Sequence, residues 1–334
     1  MTQQIDAAES PSPTPTLLMA ENLRMSYGSR LALRGLSFSL KAGRILGFLG
    51  PNGAGTTTAI RILTTIMQPS AGTFTVDGIS STEPDRIRRR IGVLPENLGF
   101  PKQMTGVEYL AFYGQLYGLS PQEAKVRAIA LLADVGLEQR ATSRIGTYSH
   151  GMRQRLGIAR ALINEPRVVF LDEPTLGLDP RGQQELLALI KRIARERAAS
   201  VVLCSHLLSE IEGVCDDVVI LNLGQVVAAG SVADVLGQAD RNVIQVRVAP
   251  ASVAKALEVL KKAPQVERVT VTDELTGQLA VELAASEDES PVEPLARNNL
   301  LEALIRADVP VVSFGFAGNR LQDLFLQVTD EAIS

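Results

Sequence analysis

With 334 residues, 46% apolar and 21% charged, the chain has the composition of an ordinary globular protein, and its length predicts two domains rather than one core. A net charge of −4 leaves no broad basic surface, so nucleic acid is not an expected partner. No uninterrupted apolar run approaches the roughly 20 residues needed to cross a bilayer, and residues 1–16 lack the basic and apolar regions of a signal peptide, so the chain reads as cytosolic.

In chain order, residues 1–16 are rich in Pro, Ser, Thr and Gln and read as a disordered lead-in. Leu17–Met25, Leu36–Leu40 and Gly72–Val76 alternate and end in turns, as a peripheral antiparallel layer would. Gly43–Gly50, Arg167–Asp172 and Ala199–Ser205 are near-continuous apolar runs, the pattern of strands buried on both faces of a central, largely parallel sheet. Between them, apolar residues recur at three and four spacing through Val107, Leu110 and Ala111 and again through Ala128, Leu131, Leu132 and Val135. This predicts an inserted helical subdomain over about residues 100–161.

After Gln238 the pattern becomes strand Val243–Val248, helix Ala251–Lys262, strands Val266–Thr272 and Gln278–Leu283, helix Leu295–Ala307 and strand Pro310–Phe316. That βαββαβ order predicts a small ferredoxin-like α+β domain over 239–334, with the acidic stretch Ser286–Pro294 as a surface loop.

The strongest chemical signal is Gly50-Pro51-Asn52-Gly53-Ala54-Gly55-Thr56-Thr57-Thr58, lying between a buried strand and the helical run Ala59–Met67. Strand, glycine-rich loop and helix turn successive backbone N–H groups inward on a phosphate and add the positive end of a helix dipole. Thr57 is placed to offer its hydroxyl to Mg2+. The loop pattern calls for lysine at position 56, and Thr56 stands there instead. A neutral hydroxyl then replaces a charge-assisted donor, which weakens binding by about one or two decades.

A second element, Val168–Glu173, is an apolar strand ending in two carboxylates. Period-two alternation puts them on opposite sides, Asp172 towards Mg2+ and Glu173 towards an attacking water as general base. A third, Tyr148–Leu156, opens a helix with Ser149 as a good N-cap, and free amides at a helix start bind phosphate.

Together these motifs resemble the ATP-binding subunits of ABC transporters, especially those paired with ABC-2 permeases. The likeness covers Leu17 to Gln238 as a P-loop α/β cassette, and Leu321–Thr329 resembles the closing sequence of many such subunits. It implies that Tyr27 stacks on adenine, that Gly50–Thr58 is the Walker A loop, and that Glu96 lies in the Q-loop near Mg2+. It further implies that Ser149 and Gly151 belong to the signature, Asp172 and Glu173 to Walker B, Asp179 to the D-loop, and that His206 is the switch histidine. The implied machine is a head-to-tail pair of cassettes, identical or different, with ATP between the loop of one and the signature of the other. Both would sit at the cytoplasmic face of the membrane under a separate permease.

Four positions depart from the family pattern: Thr56, Glu96 where glutamine is usual, His150 in place of the first signature glycine, and Leu176 before the D-loop. Thr56 leaves a second reading open, a nucleotide-binding module that regulates a permease with little turnover. A soluble translation or repair ATPase is disfavoured, since the chain holds neither a second cassette nor a long coiled coil. Plainer alternatives accompany individual residues: a partly buried tyrosine for Tyr27, a structural histidine for His206, core thiols for Cys204 and Cys215 rather than a zinc cluster. For Arg86–Arg90 a solvated helix face is the plainer reading beside contact with anionic lipid headgroups, and Phe100, Tyr109, Phe112, Tyr113 and Tyr117 read as mainly core, with a fraction lining a groove for the permease's coupling helix.

Overall fold

The computed structural model describes residues 14–51, 53–197, 199–238, 243–284, 294–316 and 325. Asn52, the lead-in up to residue 13, all of the acidic stretch before Pro294 and all but Phe325 of Leu321–Thr329 lie outside the described residues. The chain divides into two compact units, one up to Ala229 and one from Gly230.

In the first unit β1 (Thr16–Tyr27) and β2 (Arg30–Lys41) form a long hairpin. After β3 (Ile45–Leu49), the strands β4 (Ala71–Val76) and β5 (Ile79–Ser80) complete an antiparallel sheet of order β2-β1-β4-β5. A second sheet joins β3 to β6 (Ile91–Leu94), β7 (Val168–Asp172), β8 (Ser200–Cys204), β9 (Asp217–Asn222) and β10 (Gln225–Ser231) in the order β10-β9-β3-β8-β7-β6. The contacts of β3 with β8 and β9, and of β7 with β6 and β8, are parallel. Every residue of β3 and β8 is buried, which explains their unbroken apolar sequences.

The antiparallel strands alternate instead, and their inward residues Leu18, Leu23, Leu36, Leu40 and Phe74 join Phe48, Ile62 and Phe170 in one core. Phe38 and Phe48 meet edge to face across it, ring centroids 5.0 Å apart. Arg44 forks onto Asp217 with both contacts at 2.6 Å, pinning the start of β3 beside β9.

Helices α1 (Thr56–Leu63) and α2 (Pro84–Arg88) are followed by a helical group comprising α3 (Gly106–Leu116), α4 (Pro121–Asp134) and α5 (His150–Ala161). Thr105 with Glu108 and Ser120 with Glu123 form capping boxes that fix the starts of α3 and α4. The aromatic residues here divide between core and surface. Tyr109 is buried against Phe100 and Tyr113, but Phe112 of α3 and Tyr117, which caps the end of that helix, are about half exposed. Along Arg86–Arg90, Arg86, Arg88 and Arg90 face Glu83, Asp85 and Asp77, so this stretch is a locally neutralised surface. Then follow α6 (Pro180–Glu196) and α7 (Leu208–Val214). Cys204 and Cys215 are buried free thiols, pushed up in pKa mainly by desolvation.

The second unit opens with α8 (Val232–Gln238) and continues β11 (Val243–Val248), α9 (Val253–Lys261), β12 (Val266–Asp273), β13 (Gln278–Leu283), α10 (Pro294–Arg306) and β14 (Val311–Phe316). Its antiparallel sheet has the order β12-β13-β11-β14, the split βαββαβ arrangement. Ile244, Val246 and Val248 of the central strand alternate into a core with Leu260 of α9 and Leu300 and Leu304 of α10. Pro294, read from sequence as the end of a loop, is the first residue of α10, where its missing N–H costs nothing.

Candidate nucleotide and metal site

The site gathers at the C-terminal ends of the parallel strands, where an open α/β sheet leaves its crevice. Gly50 leaves β3, and a side chain there would come within 2.6 Å of the Leu221 carbonyl, so only glycine lets the loop pass so close to β9. Gly55 caps α1 with φ 108°, and any Cβ would meet the Ala32 carbonyl at 2.6 Å. Thr56, Thr57 and Thr58 follow as the first turn of α1, with their free amides at the helix's positive end. Ala54 is buried, and its backbone is spent on the loop itself, the N–H donating to the Pro51 carbonyl and the C=O accepting from Gly224 N, both at 2.9 Å.

Two cavities flank the loop. One, of about 250 Å3, is lined by Gly50, Pro51, Gly53, Thr56, Thr57, Glu96, Asp172, Glu173 and His206, together with Leu176 and Ser205. The other, of about 330 Å3, is lined by Tyr27, Arg30, Gly53, Gly55, Thr56, Thr57, Thr58 and Arg61. Tyr27 is half exposed there and donates its hydroxyl to the Met67 sulfur at 3.3 Å.

The carboxylates reach the first cavity by a route that strand alternation does not predict. Strand β7 ends at Asp172, and Glu173 takes the left-handed conformation at φ 48° while its N–H bonds the Cys204 carbonyl at 3.0 Å. The expectation that the pair faces opposite sides is therefore corrected: the turn brings both acids to one cavity. Asp172 pairs with Cys204 across β7 and β8, so the two strands end level and deliver Glu173 and His206 together. His206 donates from Nδ1 to Glu173 Oε2 at 2.8 Å and from its backbone nitrogen to Oε1 at 3.0 Å. Just upstream, Ser205 is fixed by Glu210 Oε2 at 2.7 Å.

Burial pushes the Glu173 carboxyl above its ordinary range, and the hydrogen bonds and charge of His206 pull the other way. Asp172 is also raised, first by burial and then by the charge of Glu96, with Arg61 opposing. This pair of like charges suits a divalent cation. Thr57, Asp172 and Glu96 offer the hard oxygen donors that magnesium prefers. Among the described residues no three His, Cys, Asp or Glu form a metal cage. Magnesium carried by phosphates and one or two protein oxygens does not need one.

The remaining predicted residues stand apart from this cavity. Ser149 caps α5 by accepting from Met152 N at 3.3 Å, and Asp179 caps α6 by accepting from Gly182 N at 3.2 Å. Neither they nor Gly151 line the first cavity. A link runs between the regions, however. His150 donates from Nε2 to the Leu176 carbonyl at 2.7 Å, and Leu176 N bonds the Glu173 carbonyl at 3.2 Å. No local sequence pattern marks the His150 tether, or Arg30 and Arg61 as lining residues of the second cavity.

The family model for the ABC transporter matches residues 33–176. The linearmycin resistance ATP-binding protein LnrL of Bacillus subtilis (strain 168) is 33% identical over 319 residues, which is 95% of this chain and 99% of that protein. The chain belongs to the ATP-binding proteins of the ABC transporter family. The daunorubicin/doxorubicin resistance ATP-binding protein DrrA of Streptomyces peucetius is 32% identical over 323 residues, 95% of this chain and 93% of that one. Among solved structures, the cassette matches the dimeric post-hydrolysis state of the ATP-binding cassette MJ0796 bound to ADP and Pi. That match has a TM-score of 0.58 at 25% identity, over 64% of this chain and 98% of the other. Among the described residues of this ABC cassette, no helix is long and apolar enough to cross a membrane.

Proposed function

We propose that the chain is the ATP-hydrolysing subunit of an ABC-2-type exporter, working as a head-to-tail pair of cassettes beneath a separate permease at the cytoplasmic face of the membrane. The observation that carries this reading is the convergence of Glu173, His206, Asp172 and Thr57 on one cavity beside the phosphate loop. A cassette kept only for binding has no need of a partly buried carboxylate held through both oxygens. The linearmycin and daunorubicin/doxorubicin resistance relatives support the export assignment.

In this reading Gly50–Thr58 wraps the phosphates with backbone N–H groups, and Tyr27 carries the adenine from the adjoining cavity. Thr57 and Asp172 would hold magnesium, with Glu96 near it. The ion, when bound, neutralises charge on the β- and γ-phosphate oxygens. Glu173 accepts the proton of the water that attacks the γ-phosphorus, as the bond to the β–γ bridging oxygen breaks and the electrons leave with ADP. His206 keeps the carboxylate aimed and ionised by donating to it. Ser149 and Gly151 face the nucleotide of the second cassette, and Asp179 borders the same junction. Because ATP bridges the two subunits, it favours the closed pair over the open one, which is what a ligand must do to drive a conformational change.

The test is a magnesium-dependent ATPase assay on the purified chain, alone and with its permease. Turnover that Glu173→Gln abolishes and Thr56→Lys raises is the expected result. Tight nucleotide binding with turnover indifferent to Glu173→Gln would refute hydrolysis at this site.

A further inference from the structure

The phosphate loop lacks its own cation, and the first cavity supplies none. Its lining holds Glu96, Asp172 and Glu173 but no lysine or arginine among the described residues. The second cavity is different. Arg30, the first residue of β2, reaches back over the loop until its Nη2 lies 3.8 Å from where a methyl group on Gly53 would be. It shares that cavity with Tyr27, Gly55 and Thr56.

Among the described residues Arg30 has no carboxylate partner, whereas Arg44, Arg86, Arg88, Arg127, Arg155 and Arg197 each form an ion pair. Arg61 of α1 lines the same cavity and also has no ion pair among the described residues, but Arg30 is the guanidinium that approaches a glycine of the loop, Gly53. Arg30 is thus an uncommitted guanidinium poised beside the phosphate loop, on the side of Tyr27.

We propose that Arg30 supplies the positive charge that Thr56 does not, binding the α- and β-phosphate oxygens of ATP or ADP from the adenine side of the loop. This rests on the reading of Gly50–Thr58 as the nucleotide site. A chain of phosphates running from the first cavity towards Tyr27 must pass Gly53 and Gly55, and Arg30 stands at that passage. Its planar fork of N–H donors suits two phosphate oxygens at once. The position also sets a limit on its role. A cation near Gly53 on the Tyr27 side acts on the oxygens common to ATP and ADP, so it serves affinity, whereas the chemistry of the γ-phosphate belongs to the first cavity.

The experiment measures ADP and Mg-ATP affinity by calorimetry, with kcat and KM, on the full chain. The variants are Arg30→Gln, Arg30→Lys, Thr56→Lys and the double variant Thr56→Lys/Arg30→Gln. Arg30→Gln should weaken ADP and ATP about tenfold each and raise KM with kcat little changed, and Arg30→Lys should recover part of the loss. The loss should shrink with added salt, because Arg30 is exposed. In the Thr56→Lys background the same change should cost less than about threefold. Melting curves of Arg30→Gln without nucleotide should match those of the unaltered chain, separating a charge effect from a structural one.

Unchanged affinity in Arg30→Gln overturns the proposal, as does an equal loss with and without lysine at position 56. Both leave the nucleotide site standing provided the unaltered chain binds ADP. Failure of the unaltered chain to bind either nucleotide overturns the proposed function and this inference together.

Discussion

Both carboxylate oxygens of Glu173 are held by one residue, His206, through its ring nitrogen at 2.8 Å and its backbone nitrogen at 3.0 Å. The ring contact is a side-chain property and the backbone contact is not, so substitution separates them. His206→Ala should leave Glu173 in place with the backbone donor alone, and so raise its pKa further. The pH–rate profile should move its acidic limb upward by a measurable fraction of a unit, and kcat at neutral pH should fall roughly 10- to 100-fold. An unshifted limb would show that the ring does not tune this carboxylate.

A stability effect follows from the same burial. Asp172 and Glu173 both have folded-state pKa values above the ordinary carboxyl range. A raised carboxyl contributes stability that is fully present below its unfolded pKa and is lost as pH rises through its folded pKa. At neutral pH, therefore, both groups cost the nucleotide-free protein stability. Both are partly solvated, which keeps the effect small. Asp172→Asn and Glu173→Gln should each raise Tm by about 1–3 °C at pH 7 and by less near pH 4. Differential scanning calorimetry at the two pH values checks it.

Magnesium should matter unusually for binding, because the first cavity presents Glu96, Asp172 and Glu173 without a basic side chain among the described residues. Chelation by EDTA should reduce ATP affinity by at least about tenfold, and Thr57→Ala or Asp172→Asn should remove most of the difference between the metal-containing and metal-free measurements. Calorimetric titration in both buffers is the check.

Thr56→Lys should tighten ATP by about one decade or more, in line with exchanging a neutral hydrogen bond for a charge-assisted one. Turnover should rise more than affinity, since charge at this position also meets the transition state. Steady-state kinetics beside equilibrium binding distinguishes the two gains.

The contact between His150 and the Leu176 carbonyl spans 26 positions in sequence. Its loss in His150→Ala should loosen the loop that carries Glu173 and lower kcat roughly three- to tenfold while ADP affinity holds, and His150→Gln should recover part of the rate. A parallel fall in affinity would point instead to a general disturbance of α5.

The phosphate loop was legible because its glycines answer to local backbone needs, and β3 and β8 because strands buried on both faces read as unbroken apolar runs. The two carboxylates were legible as residues but not as geometry. Alternation holds only while a strand lasts, and β7 stops at Asp172, so the left-handed turn at Glu173 decides where the second acid points. Arg30 and His150 act through contacts made by folding, one across the β1–β2 hairpin's approach to the loop and one between α5 and the segment after β7. Neither leaves a mark in local sequence pattern. The short strand β6 was missed because four residues carry too little periodicity to register.

Ser149 already uses its oxygen as an acceptor for Met152 N, which leaves the hydroxyl proton free, yet it does not line the cavity of its own subunit. In the proposed pair of cassettes, a subunit so built holds a nucleotide without the donors that its counterpart brings. The rate per molecule should accordingly climb with protein concentration and level off only once every cassette has found its counterpart, so that dilution alone acts as an inhibitor.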